Sequence, residues 1–247
     1  MSLSISFEGK RILVTGAARG LGREIVEELA KQGAIVFALG RNAEYLAKLK
    51  ADFPTVNIVC VDLANWQATR DAVEGLGEID YLINNAGIVH VEPILNCSKE
   101  HFDEQFNVNV KAAVNVSQVV AKKMIEKGNG GCIINVSSLG AKVAAQMLGV
   151  YDCTKASLDM LTKSMALELG QYNIRVNSVN PTVFASNMTK TFLENNPGGG
   201  EQYNDRTPLK RLAQSSEIIN SILFLMSDNA AMINGTTLLI DGGYAAN

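Results

Sequence analysis

The sequence predicts an α/β protein, a single domain built as a doubly wound parallel sheet of about seven strands flanked by helices. Three observations predict it. Short Val/Ile/Leu runs recur along the chain, stretches with an apolar residue every third or fourth position separate them, and no break in composition divides the series. Strands covered on both faces read as unbroken apolar runs, and parallel neighbours need a helical crossover between them. At 247 residues the chain is long enough to bury such a core as one domain, taken here as 1–247.

The strands come in order as RILVT (11–15), IVFAL (35–39), NIVCV (57–61), YLIN (81–84), CIINV (132–136), RVNSV (175–179) and TLLI (237–240). Helical periodicity is plain at 23–32, 43–50 and 157–169; in the last, Leu158, Leu161, Met165 and Leu169 form one stripe. A Gly-rich interruption, NNPGGGEQ (195–202), reads as a surface loop over a site, inside a substrate loop near 187–212.

Composition excludes several classes. A hydrophobic fraction of 47% is globular, and a net charge of −3 offers no basic footprint for nucleic acid. No apolar run approaches the length of a transmembrane helix and the first residues lack a signal-peptide pattern, so a cytoplasmic protein is expected. The four cysteines (Cys60, Cys97, Cys132, Cys153) form no C-x-x-C pair and read as buried reduced thiols. With only His90 and His101 available, a three-histidine metal site is impossible and no metal is expected. Both histidines read as ordinary, His90 on a surface loop and His101 on a helix.

The first strand runs straight into TGAARGLG (15–22) and then a helix. A Gly-rich turn between strand and helix aims backbone N–H groups and the positive helix end at a phosphate. Its glycines, Gly16, Gly20 and Gly22, are spaced G-x-x-x-G-x-G, and no G-K-[S/T] follows, which excludes a nucleotide triphosphatase loop. An acid at the end of the second strand would hold a ribose 2′-hydroxyl. Here that position carries Gly40 and Arg41, no acid appears before Glu44, and Arg19 lies inside the loop itself. Two cations and no acid fit a 2′-phosphate, so the expected cofactor is NADP(H).

Of six tyrosines only Tyr151 has a lysine four residues on, Lys155, in YDCTK. On a helix these positions share a face. A cation about 4 Å from a phenol at an effective dielectric of ~20 is worth up to about 4 kcal/mol, which would bring the phenol within reach of acid/base work at neutral pH.

TGAARGLG, NNAG (84–87), NVSS (135–138), YDCTK and a late DGG (241–243) stand in the order and spacing of the short-chain dehydrogenase/reductase family, and the resemblance covers nearly the whole chain. It implies a Rossmann-type fold and a tetrad of Asn109, Ser138, Tyr151 and Lys155. In that reading Ser138 binds the substrate carbonyl, Tyr151 protonates its oxygen, Lys155 holds the nicotinamide ribose and lowers the tyrosine pKa, and Asn109 positions a relay water. Ser137 and Asn107 are the neighbouring rivals; the family spacing selects Ser138 and Asn109. The resemblance further implies that Leu21, Asp62, Leu63, Asn85, Ala86, Gly87, Val183 and Ser186 join the glycine loop around the cofactor, and that 144–150, with Gln146, lines the substrate pocket.

Within the family, VCVDLANW, NVSQVVAKKM and RVNSVNPTV are similar to a branch of NADPH-dependent carbonyl reductases. That implies reduction of a small-molecule carbonyl, such as diacetyl or L-xylulose, by a homotetramer. The family also holds 3-oxoacyl thioester and steroid or retinoid reductases, and the same fold could serve an idle NADP-binding protein. A serine hydrolase is excluded by the lack of G-x-S-x-G.

Overall fold

A computed structural model describes residues 5–184 and 199–246. Seven strands form one sheet in the order β3-β2-β1-β4-β5-β6-β7, parallel throughout. They are β1 (Arg11–Thr15), β2 (Ile35–Gly40), β3 (Asn57–Cys60), β4 (Tyr81–Asn84), β5 (Gly131–Val136), β6 (Ile174–Pro181) and β7 (Thr237–Ile240). All seven expected strands are present. The largest difference is β6, which begins earlier and runs on through Asn180 and Pro181, since pairing with both β5 and β7 prolongs it.

The helices are α1 (Gly20–Lys31), α2 (Ala43–Asp52), α3 (Trp66–Glu74), α4 (Lys99–Phe106), α5 (Ala112–Lys127), α6 (Gly149–Leu169), α7 (Gly199–Arg206) and α8 (Ser215–Met226). Side chains of Asn42, Asn65 and Ser98 accept backbone N–H bonds at the starts of α2, α3 and α4. Among the described residues no side chain caps α1, and its first turn holds no acid.

Alternate residues of the five inner strands, β2, β1, β4, β5 and β6, enter opposite layers. Ile12, Val14, Ile83, Ile134 and Val136 pack with Ile25 and Leu29 of α1 and Ile218 and Ile222 of α8. Leu13, Leu82 and Ile133 pack with Val73 of α3, Val116 and Val120 of α5 and Ala166 of α6. Both faces are therefore covered, which is why the strands lack polar alternation.

Three expectations need correction. Periodicity placed the last long helix from residue 157, but α6 begins at Gly149, because the first two turns turn Tyr151 and Lys155 toward the site and leave the core stripe to start at Leu158. The stretch 195–202 is not all loop: α7 begins at Gly199, while 187–198 of the expected substrate loop lie outside the described residues. Among the cysteines, all free, only Cys132 is buried; Cys60 and Cys153 are exposed and Cys97 is half-buried.

Reversal of strand order between β1 and β4 opens a crevice at the carboxyl ends of these strands. In such sheets that is where ligands bind. The glycine loop, the NNAG turn and the end of β5 all meet there.

Candidate active site

The glycine loop is shaped by close approach. Gly16 has φ +66°, and a Cβ there would lie 2.7 Å from Ala86 Cα; a Cβ on Gly22 would collide with the Gly16 carbonyl. From the other side Thr15 and Asn85 brace it. Thr15 Oγ1 accepts from the backbone N–H of Asn85 and Ala86, each at 3.1 Å, and Asn85 Nδ2 donates to the carbonyls of Thr15 (3.0 Å) and Gly16 (3.3 Å). Asn85 therefore spends its amide on the loop. Leu21 and Leu63 bury their side chains in the two core layers, leaving only backbone to face the crevice.

Above the loop a Cβ on Gly20 would meet nothing within 4 Å among the described residues, which leave the start of α1 open. Arg19 and Arg41 are exposed beside it, and among the described residues neither side chain makes a hydrogen bond or ion pair. Gly40 is buried against Ala18, whose Cβ would lie 3.2 Å from an added Cβ. Asp62, exposed at the end of β3, accepts from Ala64 N at 3.0 Å. A dinucleotide with an anionic ribose fits this surface, since cations and free helix N–H groups meet it and no carboxylate stands at the β2 terminus.

Between α4 and α5, residues Asn107–Lys111 form a wide turn of π-helix that tucks Asn109 inward, 1% exposed. Asn109 Oδ1 accepts from Ile88 N (2.8 Å), and its Nδ2 donates to the Ile88 carbonyl and Thr154 Oγ1, both at 2.9 Å. Thr154 in turn donates to the Tyr151 carbonyl at 2.7 Å, tying Asn109 to α6. A Cβ on Gly87 would stand 3.4 Å from Lys155 Nζ and 3.5 Å from Asn109 Oδ1, so these three residues meet across the crevice.

Ser138 and Ser137 part company at the end of β5. Ser137 donates to the Lys155 carbonyl at 3.1 Å and is buried; Ser138 Oγ accepts from Gly140 N at 3.1 Å and faces the Tyr151 phenol, whose pKa it lowers. Lys155 is 3% exposed, and its Nζ donates to the Val136 carbonyl at 2.9 Å and lies 5.6 Å from the Tyr151 ring centre. Burial drives the lysine down to about 8, with the charge of Asp159 pulling it back up. Against the sequence-based expectation, burial also pushes the Tyr151 phenol up rather than down; the Ser138 bond counters this and the neighbouring Asp152 carboxylate adds to it.

The expected substrate segment is pinned at two points: Asp152 Oδ2 accepts from Ala145 N and Glu92 N donates to the Met147 carbonyl, both at 2.9 Å. Met147 takes a left-handed φ of 65°, and Gln146 beside it is exposed. Val183 follows β6 at the same end of the sheet; Ser186 lies outside the described residues. The histidines, expected to be unremarkable, stack on each other at 3.9 Å and pair with Glu104 and Glu92.

Sequence reasoning missed Thr15, Thr154 and a buried polar rung in which Asn84 Nδ2 donates to Ser117 and Asn135, and Asn135 Nδ2 to Thr162. Asn84 and Asn135 lead two of the motifs, which was the available signal, and β4–β5 register places them side by side.

A family model described as enoyl-(acyl carrier protein) reductase matches residues 16–245. Carbonyl reductase [NADPH] 2 of Sus scrofa is 43% identical over 99% of this chain and 100% of its own. L-xylulose reductase of Mesocricetus auratus is 45% identical over 98% of this chain and 99% of its own. Among solved structures, a gluconate 5-dehydrogenase from Burkholderia cenocepacia, in complex with NADP and tartrate, superposes with a TM-score of 0.92 at 31% identity, covering 98% of this chain and 97% of that one. Together with the strand order and the motifs in register, these matches show that the chain belongs to the short-chain dehydrogenase/reductase family and is an oxidoreductase.

Proposed function

We propose that the protein reduces the carbonyl of a small polar substrate, a dicarbonyl such as diacetyl or a ketose such as L-xylulose, with Tyr151 as proton donor. The observation that carries this reading is the meeting of Ser138, Tyr151, Lys155 and Asn109 at the crevice where the glycine loop ends. The cofactor is NADP(H), which when bound supplies the hydride. Gly16, Gly20 and Gly22 would admit its diphosphate, Arg19 and Arg41 its 2′-phosphate, and Asp62, Ala86, Gly87, Val183 and Ser186 its remaining edges.

The chain's own groups do the rest. The Ser138 hydroxyl faces the Tyr151 phenol, so a carbonyl oxygen set between them receives two hydrogen bonds, and the phenol gives up its proton as negative charge develops there. A charged Lys155 stabilises the resulting phenolate. Asn109, with its amide bound on both sides, fixes the Ile88 turn against α6 and is proposed to hold the relay water through that turn. Tyr203 of α7 hydrogen-bonds Thr182 just after β6 and stacks on Tyr244 at 4.8 Å, so α7 is anchored to the sheet end beside the site. Among the described residues no helix is long and apolar enough to cross a membrane. A homotetramer in the cytoplasm completes the proposal.

The test is a substrate panel followed by cofactor oxidation: diacetyl, L-xylulose and a 3-oxoacyl thioester, each with NADPH and with NADH. Turnover of diacetyl or L-xylulose with NADPH preferred is the expected result. Turnover of the thioester alone would overturn the substrate assignment.

A further inference from the structure

One buried carboxylate sits behind the site without a part in the steps above. Asp159 lies one helical turn beyond Lys155 on α6 and is 4% exposed. Both its oxygens are engaged. Oδ1 accepts from Ser178 Oγ at 3.0 Å, and Oδ2 accepts from Asn180 Nδ2 at 2.8 Å and pairs with Lys142 Nζ at 2.9 Å. Asn180, itself fully buried on β6, donates its second amide hydrogen to the Ser138 carbonyl at 3.0 Å. The two bonds donated by Asn180 Nδ2 fix the amide's orientation.

We infer that Asp159 is a positioning residue for the reaction: through Asn180 it clamps the Ser138 backbone, and through Lys142 the turn that follows, so that the serine hydroxyl is held on the Tyr151 phenol. The inference rests on the catalytic reading of Ser138 and Tyr151 given above. Ser138 sits just past the end of β5 with extended backbone (φ −162°, ψ 157°), the start of an irregular stretch that leads to α6. Among the described residues its hydroxyl accepts a hydrogen bond from Gly140 N and faces the phenol, so its aim depends on where the backbone is held. A buried, charge-assisted clamp on the carbonyl does that more firmly than a neutral contact. Asp159 bears on the other partner too, since its negative charge favours the protonated form of Lys155. Lys155 and Asp152 are the charged groups that face Tyr151 from its own helix, while Lys142 and Asp159 are engaged with each other.

Two variants test this. Asp159→Asn keeps the shape and removes the charge; Asn180→Ala keeps the Asp159–Lys142 pair and removes the link to Ser138. The Tyr151 phenol is titrated by phenolate absorbance, each variant being compared with the same variant carrying Tyr151→Phe, a readout that needs no substrate. Asn180→Ala should raise the Tyr151 titration point, since the Ser138 bond holds it down. Asp159→Asn should raise it as well, and should move the high-pH fall of kcat/KM to lower pH by withdrawing support from charged Lys155. Turnover should drop roughly tenfold or more in each, with NADPH affinity within about twofold of wild type. An unmoved Tyr151 titration in Asn180→Ala would overturn the proposal even if Asp159→Asn failed to fold. Failure of the wild type to reduce any carbonyl would instead count against the catalytic reading, and the titration would still decide whether the clamp aims Ser138.

Discussion

At the scale of single residues, the site is governed by burial more than by attraction between its charges. Lys155 is held near 8 by desolvation, and the phenol beside it is pushed upward. For carbonyl reduction both must carry their protons. Lys155 is half protonated at about 8 and loses its charge as pH rises through that value, so kcat/KM in the reductive direction should be highest well below 8 and fall as pH rises through it. A profile level to well beyond that point would remove Lys155 charge from the mechanism. Arg41→Ala should weaken NADPH roughly 10- to 100-fold while leaving NADH nearly unchanged, because only the 2′-phosphate loses a charge-assisted partner. Equal weakening of both, measured by fluorescence titration, would place the 2′-phosphate elsewhere. Gly40→Asp, the converse change, must displace Ala18 before it can favour NADH, so a smaller gain is expected than from an open position.

At the scale of elements, the junctions matter more than the strands and helices themselves. Thr15 joins β1 to the NNAG turn by accepting two backbone N–H groups, so Thr15→Val orphans both; unfolding free energy should fall by about 1–3 kcal/mol for each group left unpaired. Urea titration of the variant checks this, and a loss near zero would mean water replaces the hydroxyl. These junctions were also the part least legible in the sequence. Strands could be read directly because burial on both faces forbids polar alternation, as Ile12-Leu13-Val14 and Cys132-Ile133-Ile134 show. The opening turns of α6 could not, since a helix face that looks into a site carries no apolar stripe. Nor could α7, whose Gly199-Gly200 start argues against a helix and whose anchors, Thr182 and Tyr244, come from distant parts of the chain. The polar link Asn84–Asn135 depends on strand register and Asp159–Asn180 on how α6 packs against β6, neither of which a local pattern encodes. By contrast, the glycine loop, the YDCTK pair and the serine at the end of β5 were readable because each requires a particular residue type at a fixed local spacing.

At the scale of the whole molecule, winding the sheet outward from β1 and β4 creates one crevice, and the glycine loop, NNAG, NVSS and YDCTK meet beside it, while Ser186 lies outside the described residues. Fold and family follow from that architecture and from relatives matched along the full chain. Assembly is a separate question, and light scattering should return the mass of four chains of 26.5 kDa; a monomer would contradict the proposed tetramer. The claim on which the account turns is that this crevice reduces carbonyls with Tyr151 as the proton donor. Its most direct test is NADPH oxidation with diacetyl and with L-xylulose by the wild type and by Tyr151→Phe, alongside NADPH binding to both. The account predicts turnover by the wild type, a loss of roughly a hundred- to ten-thousand-fold in the variant, and equal cofactor binding; a variant that keeps its rate would contradict it.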